Sequence, residues 1–290
     1  MSSKSKGILF IVLAALSFAL MSVCVRLAGE VSTFEKACFR NFVAMLITGV
    51  IMLRQHVPTK LSRESRRFVL WRALFGTLGL ICNFYAISRI NLADANMLNK
   101  MSPFFAVLFS ALLLKEKMSL KQLLIVLGAF GGSLLIIKPS PANLQLLPSL
   151  VGAVGGIAAG AAYTCLRGAT THGAPRTFVV FFFSAFSTLA LLPLALMSFT
   201  MPSPVQLLWL LLCGVFGACG QFSITAAYTF APAREISVYD YSQIIFSALL
   251  GFFIFDQIPD ALSFLGYGVI ILLALINSGH INIGMKKGTA

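Results

Sequence analysis

Ten apolar runs follow one another along this chain, each long enough or nearly long enough to cross a lipid bilayer as a helix, with little between them. Bounded by charges, Pro or Gly, they cover residues 7–28, 35–53, 69–90, 95–114 and 120–137, then 148–167, 177–198, 205–229, 236–255 and 261–279. Hydrocarbon offers backbone amides no partner, so such a chain folds as helices or as a closed barrel. The runs are continuously apolar and lack the alternation of barrel strands. Composition agrees, with 58% of residues hydrophobic, 11% charged and a mean hydropathy of +0.91, where a soluble domain carries roughly a quarter charged residues. Ten spans of about 20 residues leave loops of about eight, too short for an extramembrane domain. The expected fold is an all-α integral membrane protein with ten transmembrane helices, numbered here as spans one to ten.

The net charge of +13 reflects 22 Lys and Arg against nine Asp and Glu. These residues do not form one solvated basic surface, so no nucleic-acid partner is expected. Lys and Arg accumulate instead in the cytoplasmic loops of membrane proteins. With the N-terminus inside, sixteen of the 22 fall on the inner face; Arg26, Lys36, Arg40, Arg89, Lys100 and Lys138 fall on the outer one. Both termini are therefore expected in the cytoplasm, with the protein in the cell's inner membrane. Trp71 and Trp209 fall towards the two boundaries, as interfacial anchors do. The opening MSSKSK and run 7–28 share the charge pattern of a signal peptide, but the run is long enough to span and reads as an uncleaved first helix.

Six cysteines (Cys24, Cys38, Cys82, Cys165, Cys213, Cys219) lie in or beside apolar runs without a CxxC pair or zinc-type spacing, and read as buried thiols. GxSxG, HExxH and P-loop patterns are absent, and His56, His172 and His280 fall in loops or at a helix end. No enzymatic activity, cofactor or metal is expected, and no nucleotide-binding segment is present to drive transport by ATP.

The chain repeats itself at an offset of 140 to 141 residues. Val25-Arg26 falls on Leu166-Arg167, Phe109–Leu112 on Leu249–Phe252, Glu116 on Asp256, Gly128 on Gly268 and Lys100 on Asp240. Five spans per half is an odd number, so the second half must thread the membrane upside down. The loop after span four, Lys115-Glu116-Lys117, is basic, whereas its counterpart from Asp256 to Asp260 is acidic, as expected of opposite faces. The expected domains are one five-helix repeat over 1–139 and a second, inverted one over 140–290. Inverted repeats characterise secondary transporters, whose substrate site lies near the midplane between halves.

Several segments carry a family resemblance over nearly the whole chain. FEKACFRNFVAML (34–46), NFYAISRINLADANML (83–98), SPFFAVLFSALLLKEKMS (102–119) and GAFGGSLLIIKP (128–139) stand in order in the first half. The second half carries AAYTFAPAREISVYDYSQIIFSALLGFFIFDQIPDALSFLGYGVII (226–271). Together they resemble the EamA-type ten-helix transporters of the drug/metabolite transporter superfamily. This chain has Asp256-Gln257 where the family usually has Glu after span nine. The resemblance implies movement of small organic metabolites, often export of amino acids or related compounds. Some members instead take up solutes such as S-adenosylmethionine or riboflavin.

Ionisable groups at bilayer depth are costly, so each calls for a partner or a function. Lys100 in span four and Asp240 in span nine fall on each other in the repeat and are expected on opposite sides of one cavity, or else to snorkel to water. Around them lie Asn96, Asn99 and Ser102 on one side, and Tyr239, Tyr241, Ser242 and Gln243 on the other. Arg40, about five residues into span two, suits a carboxylate or phosphate; the alternative is a gate pair with Asp94 or Glu35. Asn83 and Tyr85 in span three, Tyr163 in span six and Gln221 in span eight add donors and aromatic surface, or simply bond between helices. The candidate substrate-binding set is therefore Arg40, Asn83, Tyr85, Asn96, Asn99, Lys100, Tyr163, Gln221, Tyr239, Asp240 and Gln243. Pro103 interrupts span four, either freeing carbonyls at the cavity or making a static kink. Gly152, Gly156 and Gly160, and Gly128 with Gly132, recur every four residues as close-packing faces.

The sequence thus points to a secondary transporter of small organic metabolites working by alternating access, with a site built from spans one, three, four, six, eight and nine. Its expected partners are a small-molecule substrate and the bilayer, with Asp240 the candidate for proton coupling and the protein a monomer or homodimer. The competing class is a channel or an intramembrane enzyme. A channel would carry rings of like charge or carbonyl filters, usually through symmetric subunits.

Overall fold

The apolar runs become helices because in an apolar medium each backbone N–H must bond within its own segment. The computed structural model describes residues 3–113, 119–138, 145–230 and 237–277, and no strand occurs among them. The helices are α1 (Ser3–Leu27), α2 (Thr33–Arg54), α3 (Arg63–Ile87), α4 (Leu92–Asn99), α5 (Ser102–Leu113) and α6 (Leu120–Ile137). They continue with α7 (Leu146–Thr171), α8 (Arg176–Met197), α9 (Pro204–Phe230), α10 (Ser242–Phe255) and α11 (Ala261–Asn277), with a 3₁₀ turn at Ser237–Tyr241 before α10. Six of them (α1, α2, α3, α7, α8 and α9) are individually long and apolar enough to cross a membrane, and shorter apolar helices cover 122–137, 239–255 and 261–276. The basic loop Lys115-Glu116-Lys117, Arg234 and His280 lie outside the described residues, as do the side chains of Thr225 and Tyr228.

Serines begin several helices by giving a hydroxyl acceptor to an unpaired first-turn amide. Ser32 accepts from the Glu35 amide at 3.2 Å and Ser62 from the Ser65 amide at 3.1 Å. Ser119 and Gln122 form a reciprocal capping box at the start of α6.

Span four (95–114) is interrupted before Pro103, as expected, and span nine, expected to be continuous over 236–255, is interrupted as well. Pro103 has no N–H and cannot bond back four residues, so α4 stops at Asn99 and α5 starts at Ser102. The Phe104 amide turns to the Met101 carbonyl at 3.0 Å, which releases the Lys100 carbonyl. Tyr241, at the corresponding break before α10, donates its hydroxyl to that carbonyl at 3.2 Å. Each interruption thus leans on the other across the molecule, and the freed carbonyl is bonded inside the protein.

The principal packing partners join the first half of the chain to the second: α3 lies on α7, α1 on α9, α2 on α8 and α6 on α11. Glycines set the closeness of these contacts. A Cβ on Gly156 would stand 2.3 Å from the Leu98 carbonyl oxygen, and one on Gly160 would stand 2.8 Å from that of Ser102. The stripe Gly152, Gly156, Gly160 therefore presses α7 against the backbone of the broken span, and Gly128 and Gly132 seat Leu273 and Ile270 of α11. Of the six cysteines, all free, Cys219 is exposed rather than buried as expected.

The described helix ends form contacts at two ends of the bundle. At one end Lys138 pairs with Asp260 at 2.5 Å, Gln257 accepts from the Leu92 amide at 3.0 Å, and Ser198 donates to Ser32 at 3.0 Å. At the other, His172 meets Glu64 at 2.9 Å. The Lys138 ammonium, bonded to the Asp260 carboxyl, holds it below the usual carboxylate range. A depressed carboxyl stabilises the fold above its unfolded pKa and loses that contribution as pH falls through its folded value. Asp260→Asn is therefore expected to lower stability at neutral pH by less than about 1 kcal/mol, since the pair is partly solvated. The difference from the parent should close as pH drops below about 4, read from melting curves in detergent.

Candidate functional site

Where the two interrupted spans cross, the helices leave a cavity of about 110 Å³. Its polar lining is Arg40 from α2, Arg72 and Asn83 from α3, Asn99 and Lys100 at the end of α4, Tyr163 from α7, Gln221 from α9, and Asp240 and Gln243 from the second break. Phe18, Met21 and Phe183 supply apolar walls.

Lys100 and Asp240 form an ion pair across it, Nζ to Oδ2 at 2.5 Å, with side chains 9% and 15% exposed. Neither snorkels. Both stand at the helix breaks, Lys100 as the cap that ends α4 and Asp240 in the 3₁₀ turn before α10. Glu35 and Asp94 are more fully buried than Asp240. Among the described lining residues, however, Asp240 is the carboxylate that reaches the cavity.

Arg40 does not make the expected gate pair. Asp94 accepts a hydrogen bond from the Tyr267 hydroxyl at 2.6 Å, and Glu35 lies 3.4 Å from the Thr200 amide. Arg40 instead donates Nη1 to Asn41 Oδ1 at 2.7 Å and stands 5.9 Å from the centre of the Phe183 ring. Arg72 lies over the same ring at 4.3 Å. Sequence reading placed Arg72 with the basic residues of the inner boundary, behind Arg63, Arg66 and Arg67; it is buried at the cavity. Two glycines make room for these guanidiniums. A Cβ on Gly76 would meet Arg72 Nη1 at 2.0 Å and Phe183 at 2.8 Å, and one on Gly217 would meet Arg40 Nε at 2.9 Å. These glycines stand 141 residues apart, the register of the repeat, which was the available signal for both arginines.

Four buried polar atoms on residues that line the cavity have no hydrogen-bond partner among the described residues: Arg40 Nε, Arg72 Nε, Asn83 Oδ1 and Asp240 Oδ1. Burying a polar atom unbonded costs about 1–3 kcal/mol, so four on one surface mark a place that a ligand or water completes.

Eight of the eleven expected residues line this cavity; Asn96, Tyr85 and Tyr239 do not. Asn96 is a structural joint, with Oδ1 beside the Ser22 hydroxyl and accepting from Gln243 at 3.1 Å, and Nδ2 donating to Ser247 at 3.0 Å. Those bonds tie α1, α4 and α10 together. Tyr85 stacks under Arg89 at 3.8 Å, and Tyr239 is 39% exposed. Phe18, Met21 and Phe183 were not foreseen, because an apolar side chain facing a cavity reads like one facing lipid.

The model of the EamA-like transporter family matches the chain twice, over residues 5–138 and 146–279. A pseudopaline exporter of Pseudomonas aeruginosa is 34% identical, over 93% of this chain and 94% of that protein. A riboflavin transporter of Vibrio cholerae is 26% identical, over 92% and 91%. A solved crystal structure superposes with a TM-score of 0.65 at 18% identity, covering 94% of this chain and 97% of its own, a likeness of fold alone.

Proposed function

The chain belongs to the EamA-like transporter family, and from that premise we propose that it is a secondary active transporter, exporting small organic metabolites of the amino-acid class by alternating access. The observation that carries this reading is the Lys100–Asp240 pair, set between two interrupted helices and contributed by the two halves of the chain. Broken helices at a midplane cavity are how such transporters expose polar groups to a solute without exposing them to lipid. The relative that exports pseudopaline favours the outward direction.

The double family match and the packing both support two inverted five-helix repeats. Exchanging the halves maps α3 on α7 into α9 on α1, and leaves α2 on α8 and α6 on α11 unchanged. The packing favours one division of the helices into moving bodies. α1, α2, α9 and α10 form one group, and α3, α4, α5, α7 and α8 another, with the cavity between them and the packing of α2 on α8 as the seam along which they meet. We infer that these mixed groups rock against each other, in place of the two sequence halves. Lys36, Arg40 and Lys100 are buried in the bundle, so few of the cations assigned to the outer face lie in loops, which strengthens the case for cytoplasmic termini.

Reconstituted vesicles test the class. A transporter gives saturable flux stimulated by unlabelled solute on the far side; linear flux without that stimulation would make it a channel. Cysteines placed at 116 and 256 should react from opposite faces, and labelling from one face would remove the inverted repeat. We assign proton coupling to Asp240, so the flux that Asp240→Asn retains is expected to lose its response to a pH gradient. Gly76→Ala should push Arg72 and Phe183 into the cavity, lowering flux at least about tenfold while changing stability by about 1 kcal/mol, since a guanidinium tip relocates easily.

A further inference from the structure

Resting on the transporter reading, we propose that the solute is an amino-polycarboxylate, with two carboxylates and a protonated amine, one carboxylate held by Arg40 and the other by Arg72. Arg40 is 3% and Arg72 6% exposed, and among the described residues neither has a carboxylate partner. A buried cation without an anion is costly, and removing one partner of a buried pair is among the larger penalties known. Two such cations on one cavity therefore define a surface completed by two anions. The guanidinium fork matches a carboxylate bidentately, and each Nε stands buried with no acceptor. Phe183 stands against both guanidiniums, 5.9 Å from Arg40 and 4.3 Å from Arg72, and fixes them at one wall of the cavity.

The remaining cation does not compete. Lys100 is committed to Asp240 at 2.5 Å. What Asp240 and Asn83 still offer is one unbonded acceptor oxygen each, and an ammonium group supplies N–H donors to both. A phosphate ester would bring its dianion towards the Asp240 carboxylate. A neutral amino acid would satisfy one arginine and leave the other bare. The two arginines also belong to opposite helix groups, Arg40 to the group of α1, α2, α9 and α10, Arg72 to the other. A solute with two carboxylates bridges them, so its binding draws the groups together.

The experiment is a melting-temperature shift of the full-length protein in detergent at matched ionic strength. The probes are L-glutamate and L-2-aminoadipate against L-glutamine, glutarate and O-phosphoserine. The aminodicarboxylates are expected to raise the melting temperature and L-glutamine to leave it unmoved. Arg40→Gln and Arg72→Gln should each weaken the aminodicarboxylate effect by at least about thirty-fold in concentration. Because each removes an unpaired buried charge, the unliganded variants should melt no lower than the parent; a lower value would make the arginines structural and overturn the proposal. Equal shifts from L-glutamine, or shifts confined to glutarate or phosphoserine, would overturn it while leaving transport intact. Vesicle counterflow of a solute from another class, with no aminodicarboxylate effect, would do the same. No shift and no counterflow with any class would remove the transporter reading as well.

Discussion

Replacing Asp240 by Leu with Lys100 in place is expected to cost about 3 kcal/mol of stability, and Lys100→Met alone a similar amount. The double substitution Lys100→Met/Asp240→Leu is expected to restore most of that loss while abolishing transport. The side chains lie 2.5 Å apart and are 9% and 15% exposed, so removing one strands the other in a poorly solvated place. Removing both leaves an apolar contact of similar volume, which such sites tolerate. The estimate sits at the low end for buried pairs because the two border a cavity that admits water. The coupling between the two positions is the difference between the double and the summed single effects, read from denaturant titrations in detergent. Flux in vesicles is the second readout. A double variant that still transports would show that the pair is scaffold and would leave the cavity without its central element; additive losses would show that the two charges do not depend on each other.

Gly156→Ala should be among the most destabilising single methyl additions in the molecule, about 3 kcal/mol or more, whereas Gly131→Ala should stabilise by about 0.5–1 kcal/mol. The chemistry is identical; the surroundings decide the sign. The new Cβ at 156 would meet the Leu98 carbonyl oxygen at 2.3 Å, whereas at 131 nothing lies within 4 Å. Moving a carbonyl is harder than turning a side chain. That carbonyl belongs to the last turn before the break that carries Lys100, so retreat would also displace the ion pair. Gly156→Ala is expected to lose flux together with stability, and its suppression would have to come from the facing segment at 98–102. Equal unfolding midpoints for the two alanine variants would refute the account of how α7 seats the broken span.

Much of the architecture was legible in the chain because lipid imposes severe rules. Length and apolarity marked ten apolar segments, six of which form helices long and apolar enough to cross a membrane. Pro103, lacking an amide hydrogen, fixed the interruption near Lys100. The register of 140 residues put Lys100 and Asp240 in correspondence, and the two are in contact. Serines before α2, α3 and α6 mark their starts through a local hydrogen bond that needs no tertiary partner.

The direction in which each side chain points was not legible. In a soluble protein the apolar stripe tells which face of a helix is inward, but a helix in lipid is apolar on both faces, so periodicity loses its meaning. Asn96 and Asn99 stand one turn apart in α4, yet one is a bonded joint and the other faces the cavity. Tyr85 and Asn83 diverge in the same way on α3. Arg72 looked like one more basic residue at a boundary until packing around Gly76 turned it inward. Chain composition marked the segments apolar enough to cross a membrane and the break at Pro103, since those depend on a segment by itself. Which groups share a cavity, and which buried charges face one another unpaired, depended on the rotation of every helix against its neighbours, and only close packing between the two halves decided that.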